Sequence, residues 1–357
     1  MSERDITVGL VCFRADNALG SGSERYAYRL KQFLEEAGIE VKTIETDYRY
    51  PVLNRTLYSM IDVRRKVKAL DEEVDIFHGV IPQEAIPSGS TDTPFIVTWH
   101  DIIQLVTKKS GNSWKGRLFA KYFYTKATNA DHIISISKQT TNMIQSYYGL
   151  EDDRITTIPH GINEKFTPSE NRDYSVDGEF VFGYLGALNE RKRVDYLIES
   201  FGRFKEKGGE NAILKIYGKK GYKYEELVEQ VKNDPRIERD EVSFEGFVPE
   251  DEIVETYNEI DTFLFSSERE GWGYPPSEAM KCGTPVIIRD GCIPSEVKEP
   301  AIKARNPTEM AEKMKEIQSD QELRQDVAKH QLDHINQYTW DKNIRKVIET
   351  YERVLNG

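Results

Sequence analysis

Short apolar segments rich in β-branched residues alternate along the chain with longer stretches in which apolar positions recur at helical spacing. This alternation is typical of a parallel sheet covered by helices. In the first half of the chain we predict strands at 7–13, 40–44, 74–78, 95–99 and 132–136. In the second half we predict strands at 180–185, 213–217, 242–244, 262–265 and 286–288. Because the alternation starts afresh in the second half, the pattern predicts two Rossmann-like α/β domains.

The helical stretches and one polar segment set the expected domain boundaries. A helix over 23–37 ends before Gly38, and glycine is the residue that most often terminates a helix. The segment 163–177 contains Pro168 and few apolar residues, so we predict a linker there. Further helices are predicted at 307–318, 321–334 and 341–355. The expected division is therefore 1–168, 169–338 and a final helix within 339–357.

Composition argues against several classes of protein. The 357 residues, 38% of them hydrophobic and 31% charged, are enough for two globular cores. A formal net charge of −12 argues against a broad nucleic-acid-binding surface, so we expect no nucleic-acid partner. No apolar run approaches the roughly 18–20 residues of a membrane span. The three cysteines lack metal-binding spacing, which favours a reduced cytoplasmic setting.

The most specific functional pattern runs from residue 270 to residue 288. A predicted strand leads into a glycine-bearing turn, and two prolines then suit the first turn of a helix, where a missing N–H costs nothing. Glu270 precedes the turn, and Glu278 falls on the helix. A helix N-terminus can hold phosphate, and two carboxylates can accept bonds from sugar hydroxyls. The structural alternative is a capping turn with two solvated glutamates.

This stretch resembles the Glu-x7-Glu signature of retaining glycosyltransferases of the GT-B fold, in family four. The resemblance implies two Rossmann-like domains facing across a cleft, with the last helix crossing back to the first domain. It also implies that Glu270 contacts donor-sugar hydroxyls and that Glu278 binds the ribose of the nucleotide. The backbone of the residues between them would face the sugar and the diphosphate: Gly271, Trp272, Gly273 and Tyr274.

A second motif follows the first strand of the second domain, where open α/β sheets bind ligands. There Arg191 and Lys192 can offer a forked donor and a point charge to phosphate oxygens. The segment from Gly186 resembles the Gly-x-Leu-x-Pro-Arg-Lys-Asn form of mannosyltransferase-like members, with Glu190 in place of proline and Arg193 in place of asparagine. The structural alternative is that the two cations only solvate a helix start.

Weaker similarities extend this candidate donor site. The resemblance places Gly218 and Lys219 near the diphosphate, and Phe247 and Val248 near the base. The sequence contains no Asp-x-Asp, the motif that chelates metal in the other large glycosyltransferase fold. We therefore expect a metal-independent reaction, no metal ligand and no cofactor.

The first domain carries the expected acceptor site. Gly20 and Gly22 lie between the first strand and the first helix and resemble the glycine loop of the family, although Glu24 replaces a common glycine. A flexible β–α turn is the alternative. His100 follows a strand whose end should lie at the cleft, and it matches the histidine that contacts the donor sugar in the family. A buried structural histidine is the alternative. His160 stands where asparagine is more usual, and we assign it no chemistry.

The region 108–126 combines basic and aromatic residues. Apolar residues recur there at helical spacing, with cations beside them: Lys108, Lys109, Lys115, Arg117, Lys121 and Lys126. Such a helix can rest on an anionic membrane surface and receive a lipid-linked acceptor. It can equally pack its aromatic face on the sheet and expose the charge, and packing is the favoured interpretation.

Together these patterns predict a retaining, metal-independent glycosyltransferase that moves a hexose from a GDP- or UDP-linked donor to a hydroxyl of a glycan or lipid-linked acceptor. A nucleotide-sugar 2-epimerase shares the fold but needs several carboxylates for proton shuttling. A non-catalytic nucleotide-sugar-binding subunit of a glycosylation complex is the second alternative, because Glu24, Glu190 and His160 depart from the family pattern.

Overall fold

The computed structural model describes residues 6–13, 15, 22–45, 52–106, 114–170, 172–176, 178–221 and 223–357. The chain forms two compact units. The first comprises Met1–Gly161 and Trp340–Gly357, and the second comprises Ile162–Thr339. Each unit is built on one six-stranded parallel sheet, which confirms the predicted α/β class and GT-B fold.

The sheet of the first unit has the strand order β2-β1-β3-β4-β5-β6. Its strands are β1 Thr7–Cys12, β2 Glu40–Glu45, β3 Ile76–Gly79, β4 Phe95–Trp99, β5 His132–Ser135 and β6 Ile155–Thr157. The helices are α1 Gly22–Glu36, α2 Val52–Ala69, α3 Ile103–Val106, α4 Trp114–Ala127 and α5 Lys138–Tyr148, with 3₁₀ turns at Pro82–Ser90 and Asp152–Arg154.

The sheet of the second unit has the order β12-β11-β10-β7-β8-β9. Its strands are β7 Phe180–Leu185, β8 Ala212–Tyr217, β9 Val242–Gly246, β10 Thr262–Phe265, β11 Val286–Arg289 and β12 Ile302–Ala304. Its helices are α6 Val194–Glu206, α7 Tyr224–Asn233, α8 Ile253–Glu259, α9 Tyr274–Lys281, α10 Ser295–Lys298, α11 Pro307–Ser319 and α12 Gln321–Ile335. The strand order reverses between β7 and β10, and open α/β sheets bind ligands at such a switch point, beyond the carboxyl ends of the strands.

The last helix, α13 (Trp340–Leu355), belongs to the first unit. Its apolar residues recur at helical spacing, so one face is buried in the same cluster as the inner face of α1. Trp340 stacks on Phe33 with ring centroids 5.5 Å apart. Val347 and Tyr351 are fully buried beside Leu30. The predicted return of this helix to the first domain is therefore part of the confirmed fold.

The predicted strands are all present, with ends shifted by at most two residues. The helix predicted at 23–37 also ends as expected, since Gly38 has a left-handed φ of 83°. The sequence pattern misses β6 and β12. Both are edge strands of only three residues, too short to show a periodicity of their own.

The polar segment that follows Gly161 packs against the second unit. Lys165 Nζ donates to Glu250 Oε1 at 2.6 Å, and the Tyr174 hydroxyl donates to the Gly283 carbonyl oxygen at 2.9 Å. These contacts explain why the units divide after residue 161, whereas the sequence places the boundary after residue 168.

Gly161 lies where α13 meets the end of the first unit's main segment. A Cβ atom built on Gly161 would lie 2.6 Å from the backbone nitrogen and Cα of Trp340. We therefore expect Gly161→Ala to displace α13 and to lower the free energy of unfolding by about 1–3 kcal/mol. Urea denaturation measures the loss. Gly89→Ala is the control, because nothing lies within 4 Å of a Cβ there. Equal stability of the two variants would contradict the prediction.

Candidate active site

The neighbouring strands β7 and β10 bring two loops together at the switch point of the second unit. Thr262 pairs with Phe182 and Phe263 with Gly183, so the segments that follow both strands leave the sheet side by side. After β7, residues Glu190–Lys192 form a 3₁₀ turn, and the Asn189 side chain caps it by accepting a bond from the Lys192 N–H. After β10 come two fully buried serines and then the loop that carries Glu270.

One carboxylate oxygen of Glu270 receives three donors. Its Oε1 lies 2.7 Å from Lys192 Nζ, 2.7 Å from Arg191 Nη1 and 2.5 Å from Ser267 Oγ. The Lys192 and Glu270 side chains are only 12% and 14% exposed, so water screens this ion pair weakly. Burial by itself raises the pKa of the Glu270 carboxyl, but Lys192 and Arg191 outweigh it and hold the pKa below its usual value. Glu270 is therefore a carboxylate at neutral pH.

The two serines after β10 also lie against the backbone of the cationic turn. Ser266 Oγ lies 2.9 Å from the Lys192 carbonyl oxygen and 2.8 Å from that of Arg193. Ser267 Oγ lies 3.2 Å from the Arg191 carbonyl oxygen. Arg193 has a left-handed φ of 51°, a conformation that non-glycine residues seldom adopt. Sequence reasoning missed both serines. Two small hydroxyl residues directly after an apolar strand were the available signal.

Glycine loops at the ends of β7 and β8 approach each other closely. A Cβ on Gly218 would lie 2.0 Å from the Gly186 carbonyl oxygen, so only glycine fits at position 218. Beside them, Lys219 Nζ lies 4.4 Å from the centre of the Phe247 ring, and Phe247 is 62% exposed. Val248 is half-buried. The residues predicted to lie near the diphosphate and the base therefore follow the carboxyl ends of the neighbouring strands β7, β8 and β9.

The start of α9 is shaped by glycine and proline. Gly273 caps the helix with a left-handed φ of 107°, and Trp272 before it is buried against the ring of Tyr338. Pro275 and Pro276 carry no N–H. Any backbone donors at this helix start therefore come from Tyr274 and the residues before it, Gly271 included.

Glu278 lies on α9 and is only 5% exposed. Its Oε2 accepts a hydrogen bond of 2.9 Å from the buried hydroxyl of Tyr257. Tyr257 itself lies on α8 and was not singled out from the sequence. A buried carboxylate needs such a donor. The chain has nineteen tyrosines, and nothing in the sequence indicates that Tyr257 is the one that contacts Glu278.

In the first unit, His100 is held through both ring nitrogens. Its Nε2 lies 2.9 Å from the Val80 carbonyl oxygen, so Nε2 carries the hydrogen and donates. The neutral ring then accepts at Nδ1 from Nε2 of His160, 3.2 Å away. Burial lowers the pKa of His100 to about 4. His160 is 1% exposed, and burial also lowers its pKa well below the usual value.

Gly22 begins α1, while Gly20 lies outside the described residues. In the part of the chain that the structure describes, no three His, Cys, Asp or Glu side chains are arranged to hold a metal ion. None of the described helices is both long and apolar enough to cross a bilayer.

Only part of the basic and aromatic region 108–126 is described. Residues 108–113 lie outside the described residues, as do the side chains of Trp114 and Lys115. Within α4, Ala120, Tyr124 and Ala127 are buried. Leu118, Phe119 and Tyr122 are 63%, 41% and 38% exposed, so α4 packs through one face and keeps an apolar patch on its surface.

Both halves of the chain match glycosyltransferase families. Residues 168–332 match "Glycosyl transferases group 1", and residues 20–166 match "Glycosyltransferase Family 4". Together the two matches span most of the chain, which therefore belongs to the family-four glycosyltransferases of the GT-B fold.

Curated relatives include mannosyltransferases of Escherichia coli. The chain is 22% identical over 289 residues to the serotype-specific mannosyltransferase WbdA, with 76% of this chain and 35% of that protein covered. It thus spans about a third of WbdA. It is 23% identical over 316 residues to O-antigen chain mannosyltransferase B, with 85% and 81% covered.

Among solved structures, the chain resembles Anabaena Alr3699/HepE in complex with UDP and glucose. The TM-score is 0.74 at 17% sequence identity, and the match covers 96% of this chain and 99% of that one. At this level of identity the likeness concerns the fold.

The histidine pair makes the stability of the first unit pH-dependent. His160 stays neutral in the folded chain but binds a proton in the unfolded chain below about pH 6.5. Stability is therefore fully present above that pH and falls as the pH drops toward 5. We expect His160→Asn to weaken this decline by about 1–2 kcal/mol between pH 6.5 and pH 5.

Urea denaturation at a series of pH values measures this effect. His330→Asn is the control, because His330 is an exposed residue of the second unit. A decline in His160→Asn as steep as in the parent chain would show that His160 is protonated in the folded state.

Proposed function

We propose that the chain is a retaining, metal-independent hexosyltransferase that uses a GDP- or UDP-linked sugar. The cluster of Arg191, Lys192 and Glu270 carries this proposal. Cations and a carboxylate share one site at the carboxyl ends of β7 and β10, and a nucleotide-sugar presents phosphates next to hydroxyls. Arg191 and Lys192 would hold the diphosphate, and Glu270 would accept bonds from sugar hydroxyls.

The proposed reaction needs no enzymatic nucleophile. The bond from the anomeric carbon to the phosphate oxygen breaks, and the acceptor oxygen bonds to the same carbon on the same face of the sugar. The acceptor's proton passes to the leaving phosphate. Negative charge collects on that phosphate as the bond breaks, so the preorganised charges of Arg191 and Lys192 would stabilise the transition state more than the ground state.

Other residues would complete the donor site. Glu278 would bind the ribose, with Tyr257 holding its carboxylate in place. The dipole of α9 contributes roughly half a positive charge near the phosphates. Phe247 offers an exposed ring to the base, beside Lys219. The mannosyltransferase relatives support mannose as the sugar, while the UDP and glucose bound to HepE support a uridine donor.

The first unit would bind the acceptor, a hydroxyl of a glycan or of a lipid-linked sugar. The O-antigen relative supports an acceptor of this kind. His100 would contact the donor sugar as a neutral ring. A sugar hydroxyl that donates to its Nδ1 would replace the bond from His160. Gly22, at the start of α1, would lie near the phosphates.

Release of nucleoside diphosphate from a panel of UDP-, GDP- and ADP-hexoses, with EDTA present, tests the proposal without a known acceptor. We expect slow hydrolysis of one donor. Lys192→Ala and Glu278→Ala should each lower its rate by about 10²–10³-fold, through lost leaving-group stabilisation and lost nucleotide binding. Lys232→Ala is the matched control, because Lys232 is exposed on α7. Undiminished release by Lys192→Ala and Glu278→Ala at saturating donor would refute the assignment.

A non-catalytic donor-binding subunit is the second candidate. Glu190 stands where the family pattern has proline, which places an acidic side chain beside Arg191. Calorimetry on the same donor panel separates the two functions. Binding without release, even when candidate acceptors are added, would favour the subunit.

We also propose that α4 contacts an anionic membrane surface. Leu118 and Phe119 expose apolar side chains, and the charged residues Arg117, Lys121 and Lys126 lie on the same helix. Apolar insertion and attraction to anionic headgroups would then act together. This contact would bring the first unit to lipid-linked acceptors.

Sedimentation with vesicles that contain phosphatidylglycerol tests the contact. The double variant Leu118→Ser, Phe119→Ser should bind at least about tenfold more weakly, because two side chains no longer insert. Tyr147→Ser is the control, since Tyr147 is an equally exposed aromatic residue on α5. Equal retention of the double variant and the parent chain would exclude α4 as the contact.

A further inference from the structure

The cations of the candidate donor site are paired with a carboxylate of the same chain. Glu270 Oε1 accepts from both Lys192 and Arg191, each at 2.7 Å. Arg191 Nη1 also donates to the Arg269 carbonyl oxygen at 2.8 Å. Since a guanidinium nitrogen of this kind has two hydrogens, both donors of Nη1 are engaged. A diphosphate that approaches these cations therefore meets an anion that already occupies them.

We propose that Glu270 acts as an internal counter-anion, competing with the diphosphate for Arg191 and Lys192 until the hydroxyls of the donor sugar engage it. The inference rests on the proposed function and adds a specificity role to the sugar-binding carboxylate. The intact nucleotide-sugar satisfies Glu270 with hydroxyls and the cations with phosphate. The nucleoside diphosphate left after transfer satisfies only the cations.

The geometry supports competition rather than simple neutralisation. All three donors converge on the same oxygen of Glu270, and Ser267 fixes that oxygen from the side of β10. The Lys192 ammonium cannot reach freely into solvent for another anion, because its side chain is only 12% exposed. Its ammonium lies 5.3 Å from the centre of the Phe265 ring. A phosphate must therefore share or displace Glu270 at close range.

The consequence is a difference between substrate and product. Repulsion between Glu270 and a bare diphosphate weakens binding of the product, which favours its release. A sugar and a nucleoside diphosphate should also increase each other's affinity. The sugar hydroxyls donate to Glu270 and so weaken its hold on the cations, and the diphosphate, by taking the cations, leaves Glu270 free to accept from the sugar. Such coupling is reciprocal by thermodynamic necessity.

Calorimetry of GDP and UDP binding to the full chain tests the inference. Glu270→Gln keeps the shape of the side chain and removes the competing charge. We expect its affinity for the preferred nucleoside diphosphate to rise by between about 5- and 150-fold, the usual range of coupling between two ligands. Donor turnover should fall in the same variant. Glu270→Asp keeps the charge and should not gain affinity in this way.

Glu268→Gln is the matched control. It removes the same charge from the same loop, but the Glu268 carboxylate lies 3.9 Å from Arg193 and takes no part in the Glu270 cluster. Its affinity for nucleoside diphosphate should change less than about twofold. An equal gain in Glu268→Gln and Glu270→Gln would mean a general charge effect and would overturn the inference. So would unchanged or weaker binding by Glu270→Gln.

A second measurement uses the unaltered chain and so does not depend on the folding of a variant. Free mannose or glucose, at saturating concentration, should tighten binding of the nucleoside diphosphate. The absence of any coupling with either sugar would contradict the inference. Failure of the proposed function gives a different result, because then no nucleoside diphosphate binds to the parent chain or to any variant.

Discussion

The candidate donor site depends on one arrangement of charge, in which Glu270 Oε1 faces the two cations of the turn after β7. That arrangement exists because β7 and β10 are hydrogen-bonded neighbours, although about eighty residues separate them along the chain. The reversal of strand order at this pair sets the two loops side by side. Ser266 then ties one loop to the other through its hydrogen bond to the backbone oxygens of Lys192 and Arg193, and the Glu268 N–H donates to the Arg191 carbonyl oxygen. The order of the strands and the local hydrogen bonds therefore both position the side chains of Arg191, Lys192 and Glu270.

The sequence predicts the charged residues of this arrangement but not the hydroxyl residues that hydrogen-bond to them. Arg191, Lys192 and Glu270 are recognisable because they fall, after predicted strands, in segments that resemble glycosyltransferase motifs. Ser267 and Tyr257 support two of the predicted carboxylates, yet a serine or a tyrosine has a structural use almost anywhere in a fold. Their roles follow from distances that only the folded chain defines. The edge strands β6 and β12 are not predicted from the sequence for a related reason: with three residues each, they are too short to show a pattern of apolar and polar positions.

The pairing of two histidines in the first unit is likewise not predictable from local sequence motifs. The sequence indicates His100 by its position after a strand and by its match to the family's histidine, and it assigns His160 no chemistry. In the structure they form a hydrogen-bonded pair, so the ring orientation of one depends on the other. Burial keeps both rings neutral, which fixes Nδ1 of His100 as an acceptor. Proximity between residues sixty positions apart was not readable from either local motif.

The polar residues of the two units differ in a way that suits the proposed chemistry. The second unit collects two cations and a carboxylate, as recognition of a diphosphate next to a sugar requires. In the first unit, His100 follows β4 as a neutral ring and is hydrogen-bonded to His160, which is also neutral. A hydroxyl acceptor carries no charge and needs none from its binding site. In the proposed reaction its proton leaves with the phosphate, so the charged groups are needed only on the donor side.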